Sequence, residues 1–302
     1  MKRFAGLLGA LVIGTGVVGV TAAGPAGAAP PLTFTCTGAI SNVPLTVSPE
    51  VVQPGTYGSF VMPPGSFCVI PGSVTVQKGI TLGSGSALIV VDGFVPGFGG
   101  PFSGALTDNG PVRVGPDADL SFLWDGTTPL AAPPLTVNGP VFVQSHGLFG
   151  MFGATISGPL TAIDASGVQV NGSQIRGPLS VVGGGGTNDP SEAFAQVAYF
   201  PGYNFVDLEQ DTVSGPLSVL GYDGAAAYVG GDHTGPMTFA FNTAAASPYW
   251  TPPLYITHFN VINGPATCAD NTPTPNATNP SDASTNTVRG PVRGDQGAAC
   301  FG

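Results

Sequence analysis

The stretch Pro159-Leu-Thr-Ala-Ile-Asp-Ala-Ser-Gly-Val-Gln-Val-Asn-Gly-Ser-Gln-Ile-Arg-Gly177 decides the fold. It contains three short β-type pieces, Leu160 to Ile163, Val168 to Val170 and Gln174 to Arg176, separated by Ser-Gly and Asn-Gly. Strands this short, joined by glycine-containing corners, do not make the hairpins of a sandwich. They suit the three walls of one coil of a right-handed parallel β-helix, in which coils stack at about 4.8 Å. Leu160, Ile163, Val168, Val170 and Ile175 are then expected in the lumen, with glycine supplying positive φ at the corners.

Outward from this unit, Gly-Pro recurs at Gly110, Gly139, Gly158, Gly177, Gly215, Gly235 and Gly264, each time ahead of a short β-type piece. The spacing is a unit of about 19 residues, occurring singly, doubled or with an excess of about ten. Proline directly after the glycine fits the first residue of a strand, where its missing N–H does least harm to the ladder. Val74-Thr-Val76, Ile80-Thr-Leu82 and Ala87-Leu-Ile-Val-Val91 read the same way without Gly-Pro. The expected architecture is all-β: an N-terminal cap segment over 29–70, a parallel β-helix over 71–268 and a C-terminal tail over 269–302. A cap is needed because an open solenoid end is an aggregation-prone edge. The intervals 91–109 and 183–213 exceed a plain coil.

Composition agrees. The 302 residues include 47 Gly and 31 Pro, only 8% are charged, and 42% are hydrophobic. Long charged helix formers are nearly absent, whereas there is enough apolar residue to fill a core. Met1-Lys-Arg3, the apolar run from Phe4 to Val20 and Ala26-Gly-Ala28 form a secretory signal over 1–28, so the mature chain is expected to be extracellular or loosely wall-associated. Without Lys2 and Arg3, five basic residues stand against 17 acids, a net charge of −12. Such a chain has no basic stripe to neutralise phosphates, which excludes a nucleic-acid reader. No later segment is long and apolar enough for membrane insertion.

Cys36, Cys68, Cys268 and Cys300 form an even set in an exported chain, so disulfides are expected. Pairing within each end closes two loops of equal spacing, Cys36 with Cys68 and Cys268 with Cys300, and would pin both termini. Cysteines so spaced, without a Cys-x-x-Cys motif or a nearby His, do not suit a metal site.

Cys36-Thr-Gly, the Pro63 to Cys68 stretch, the Gly-x-Val-Thr-Val coil at Gly72 and the Cys268 to Cys300 segment with Asn271 and Asn286 together resemble a group of exported actinobacterial proteins. That group is built from parallel β-helix coils with cysteine-bearing ends. The resemblance spans nearly the whole mature chain and implies architecture rather than chemistry.

Among residues that carry chemistry, Asp207, Glu209 and Asp211 stand out. At period two on a strand they would project from one face, as acid/base pairs or Ca²⁺ ligands do. The plainer expectation is a solvated outer wall. Asp117 and Asp119 share the spacing but sit beside turn chemistry. The Asp-Asp, Gly-His-Gly and Arg-x-Lys signatures of polygalacturonase-like enzymes are absent, and His146, His233 and His258 lack zinc spacing. Gly230-Gly-Asp-His233 reads as a loop, and Gly183 to Gly186 as a flexible corner. Aromatic residues crowd the long insertions, and Tyr199, Tyr203, Tyr249 and Trp250 are candidates for stacking on a neutral glycan or a protein partner. The expectation is a rigid extracellular structural or ligand-binding solenoid with no catalytic motif. The rival is a polysaccharide lyase or glycoside hydrolase using Asp207, Glu209 and Asp211.

Overall fold

Short alternating strands bury one face only, so a chain of them is stable when every coil lays its apolar residues on those of the next. The computed structural model describes residues 31–42, 45–95, 99–124, 133–186, 204–224, 226–243, 254–275 and 285–302. Three long sheets run the length of the molecule, and the chain visits them in turn. Eleven strands from Phe34–Thr35 to Val292–Arg293 form sheet I. Sheet II runs from Glu50–Val51 to Leu254–His258, and sheet III from Gly55–Tyr57 to Thr287–Val288. Pairing between successive coils is parallel throughout; for example, Val141, Leu160 and Leu179 are in register in sheet I. The fold is the expected parallel β-helix.

The lumen is filled by one column of side chains after another. Leu160, Ala162, Val168, Val170 and Ile175 are fully buried in it. Ile163 is not: Ala162 takes the inward position, and Ile163 alternates outward with 53% exposure. Deeper in the solenoid, Tyr222 is fully buried and donates its hydroxyl to the Ser166 carbonyl at 2.7 Å. Tyr222→Phe leaves a buried acceptor without that donor and is expected to cost about 1–2 kcal/mol, read as a shift in denaturant midpoint at unchanged m-value.

The corners explain the sequence code. Gly-Pro stacks on Gly-Pro where sheet III passes to sheet I. Each proline carbonyl accepts an N–H from the preceding coil, as Pro178 does from Leu160 at 2.9 Å. The glycines there serve close approach rather than positive φ. A Cβ on Gly158 would lie 2.8 Å from the Gly139 carbonyl and from Pro140 N. Apart from Gly79, at φ 119° on this corner in a coil without Gly-Pro, positive φ is found at the other two corners, where glycine shares the role with Asp164, Gln210, Phe241, Phe259 and Asp270. There the residue after the left-handed one turns inward: Ala165, Asp211, Asn242, Asn260 and Asn271 are all buried. Gly183 to Gly186, expected as a flexible corner, all have positive φ and are hydrogen-bonded into the stack, with Gly185 N–H on Ala165 O at 2.8 Å.

Stacking extends beyond the expected helix boundaries at both ends. Phe34–Thr35 already pairs with Phe60–Met62 inside the expected cap. Within the expected tail, Thr287–Val288 and Val292–Arg293 add a further partial coil, and Gly290-Pro291 takes the same corner as the earlier Gly-Pro pairs. A hairpin of Ala39–Asn42 and Leu45–Ser48 interrupts the first coil. The disulfides are Cys36–Cys68 and Cys268–Cys300, one near each end. The ring of Phe34 packs on Phe60 and Tyr57 at one end. At the other, a short helix, Gly297–Phe301, buries Cys300 and Phe301. The signal segment 1–28 lies outside the described residues, and no helix among them is long and apolar enough to cross a membrane.

Candidate functional site

The outer face of sheet II changes character along the solenoid. In the first coils it is apolar: Phe67, Val69, Ala87, Ile89, Val91 and Leu123 form a second buried cluster, against which Ile40 and Phe102 pack. Further along, the same columns become polar. Val69, Ile89, Ser121, Gly150, Gln169, Asp207 and Tyr228 follow one another in register, and beside them run Asn171, Glu209, Gly230 and His258. A sheet that exchanges an apolar outer face for one of amides, acids, a phenol and an imidazole has a local reason to do so.

Asp207 sits at the centre of this face. Its Oδ2 accepts Nε2 of Gln169 at 2.9 Å and Nδ2 of Asn171 at 3.2 Å. Burial raises its carboxyl above the usual range, against the pull of these two donors. Glu209, two residues on, is pushed up to about 7, first by burial and then by the charge of Asp207. Alternation along the strand places the two carboxyls on one face, with Cα atoms about 6.7 Å apart. One coil later comes Tyr228, whose hydroxyl is hydrogen-bonded to Nε2 of His258. The two rings meet edge-on at 5.0 Å between centroids. Gly230 makes room for this pair, because a Cβ there would lie 2.8 Å from both His258 Nε2 and Tyr228 Cε1.

The expected trio of acids does not share this face. Asp207 and Glu209 belong to the strand Phe205–Glu209, but Gln210 at φ 58° ends the alternation and turns Asp211 inward, where it is fully buried. Asp232 is buried in the same column, whereas His233 beside it is exposed. Asp117 takes positive φ at a corner, in keeping with turn chemistry, and lies 3.3 Å from His146 Nδ1. Asp119 lies on the outer face of sheet II, buried, accepting the Ser121 hydroxyl; burial pushes its carboxyl up to about 7. Gln169, Asn171, Tyr228 and His258 were not identified from the sequence. The signal was available for Gln169 and Asn171, which are the polar positions of the strand Gly167–Asn171. Tyr228 and His258 join them only through register across coils.

The candidate aromatic residues Tyr199, Tyr203, Tyr249 and Trp250 lie outside the described residues. In sequence they precede the strands Phe205–Glu209 and Leu254–His258, both in sheet II. Protein-family models, curated proteins and solved structures were compared with the chain, and none matches. Among the described residues, the five basic ones, Lys78, Arg113, Arg176, Arg289 and Arg293, lie in or next to strands of sheets I and III and leave sheet II to the acids. An acidic face without basic residues is a poor setting for a phosphate group. Among the described residues, the one group of three donors close enough to hold a metal is Cys36, Glu50 and Cys68. Its two sulfurs are joined in the disulfide, and Glu50 accepts the N–H and hydroxyl of Thr37.

Proposed function

We propose that this is an exported, rigid solenoid that binds a neutral glycan on the outer face of sheet II. The reading rests above all on the in-register polar array of Gln169, Asn171, Asp207 and Glu209, repeated at the coil spacing on a surface held by backbone ladders. Amide and carboxylate groups fixed at a regular repeat can each take a hydroxyl of an extended sugar chain without reorganising, which keeps the ordering cost of binding low. Export is supported by the sequence at 1–28 and by the two disulfides. The actinobacterial resemblance belongs to the same proposal.

The test is a panel of neutral and acidic polysaccharides against the oxidised protein by affinity electrophoresis and calorimetry. A neutral glycan is expected to bind, and Asp207→Asn with Gln169→Ala to weaken it at least about tenfold, about 1.4 kcal/mol. Equal affinity of wild type and variant, or binding of acidic glycans alone, would move the ligand away from this face.

One observation favours a second reading, glycan cleavage. Glu209 titrates near neutrality beside Asp207, with the Tyr228–His258 pair one and two coils on, and this supplies a proton donor and a carboxylate on one surface. Ca²⁺ could assist such chemistry by binding the acids. A glycan-cleaving activity is then expected to fall as pH rises through about 7, where Glu209 loses its proton, and to be abolished in Glu209→Gln. Release of reducing ends or unsaturated products across pH 5–9, with Ca²⁺ and with chelator, decides between binding and turnover.

A further inference from the structure

Inside the corner between sheets II and III runs a single column of side chains, Ser173, Asp211, Asp232, Asn260 and Asn286, one per coil. The backbone N–H of each of the first four is taken by the next side chain along. Ser173 N–H reaches Asp211 Oδ1 at 2.8 Å, Asp211 N–H reaches Asp232 Oδ1 at 2.8 Å, Asp232 N–H reaches Asn260 Oδ1 at 3.0 Å, and Asn260 N–H reaches Asn286 Oδ1 at 2.9 Å. The two asparagines also donate. Asn260 Nδ2 reaches the Val229 carbonyl at 3.0 Å, and Asn286 Nδ2 reaches the Thr257 carbonyl at 2.9 Å. In register with Val229 and Thr257, the earlier coils present the carbonyls of Leu208 and Val170. At those two rungs the amide is replaced by the second oxygen of Asp232 and of Asp211. Both side chains are fully buried, and both Oδ2 atoms have no hydrogen-bond partner.

An ionised carboxylate has only acceptors to offer, so it cannot take the place of an amide NH₂ opposite a carbonyl; a protonated one can. We propose that Asp211 and Asp232 are neutral carboxylic acids in the folded protein, each donating its proton to the carbonyl of the preceding coil, so that two protons fasten the central coils and their loss loosens them. The titratable groups that act on Asp211 are Asp232, Asp207 and Glu209, and those that act on Asp232 are Glu209 and Asp207, all of them acidic. Burial is the largest cause raising both carboxyls, and this repulsion adds to it. Because the folded-state affinities for protons lie above those of an unfolded Asp, stability is greatest in acid and falls as pH rises from about 4 toward the folded values. Over that window each retained proton changes the unfolding equilibrium constant about tenfold per pH unit, and the pair about a hundredfold. This device is independent of any glycan on the outer face.

The experiment compares oxidised wild type with Asp211→Asn/Asp232→Asn, which supplies the amides that Asn260 and Asn286 already use. Infrared difference spectra at pH 8.5 are expected to show a protonated-carboxyl stretch in wild type that the variant lacks. Between pH 5 and pH 8.5 the thermal midpoint of wild type is expected to fall more steeply than that of the variant, with the variant more stable at pH 8.5. Absence of the band in folded wild type would overturn the proposal, and so would parallel pH profiles. Selective stabilisation of wild type by Na⁺, K⁺ or Ca²⁺ at pH 8.5 would also overturn it, showing a cation held between two carboxylates. If the variant does not fold, the wild-type band alone decides.

Discussion

Gly158→Ala is expected to destabilise the protein by about 3 kcal/mol, although it adds one methyl group at a partly exposed corner. The new Cβ would lie 2.8 Å from Gly139 C, Gly139 O and Pro140 N, all backbone atoms of the preceding coil. No rotamer relieves such a contact, and the coil cannot lift away without stretching ladder bonds on both sides. Val141 N–H to Pro159 O and Leu160 N–H to Pro178 O are each 2.9 Å. Overpacking of this kind costs about 1–3 kcal/mol where side chains can shift, and here only backbone can. Gly172→Ala is the contrast. Its φ of 63° imposes strain but its Cβ meets nothing within 4 Å, so about 1–2 kcal/mol is expected. Urea or guanidinium midpoints of the two oxidised variants check the ranking, and equal losses would show that the Gly-Pro corner is not limited by close approach.

Phe149→Ala is expected to cost about 3–5 kcal/mol. The ring is fully buried in the lumen, between Leu120 and Val168 in the coils before and after it. A cavity there cannot collapse, because the walls are held at the β-ladder spacing by three sheets, so both the lost transfer energy and the void remain. Phe149→Leu retains much of the volume and should lose less than half as much. A loss below about 1 kcal/mol for the alanine variant, from denaturant titration with both disulfides intact, would argue that the lumen is loosely packed at this level.

The repeat was legible because a solenoid writes its geometry into the chain once per coil. Leu160, Val168 and Ile175 are lumen residues, as their pattern implies, and the Gly-Pro pairs mark a true corner. What that corner needs from glycine was not legible, since positive φ and close backbone approach favour the same residue. Only the stacked neighbour distinguishes them. Ile163 was misplaced for a simpler reason: strict alternation from Leu160 puts Ala162 inward, and hydrophobicity alone favoured the larger residue. The helix extends past its expected bounds of 71–268 because the end strands of two or three residues lack the repeat of the middle coils, although Gly290-Pro291 is a visible copy.

The candidate site divides in the same way. Asp207 and Glu209 share a face because period two on one strand is a local property of the backbone. Asp211 leaves that face because Gln210 adopts a left-handed conformation at a corner whose position is set by stacking, and a glutamine gives no sign of this. By itself the sequence determined the coil, its lumen columns and the disulfide pairing by proximity along the chain, since all of these follow from local alternation, turn chemistry and spacing. Tertiary structure alone decided which polar residues of different coils meet. Tyr228 reaches His258 across Gly230, and two aspartates occupy the rungs of an asparagine ladder, because parallel register brings together residues 20 to 40 positions apart, a relation that no local pattern encodes.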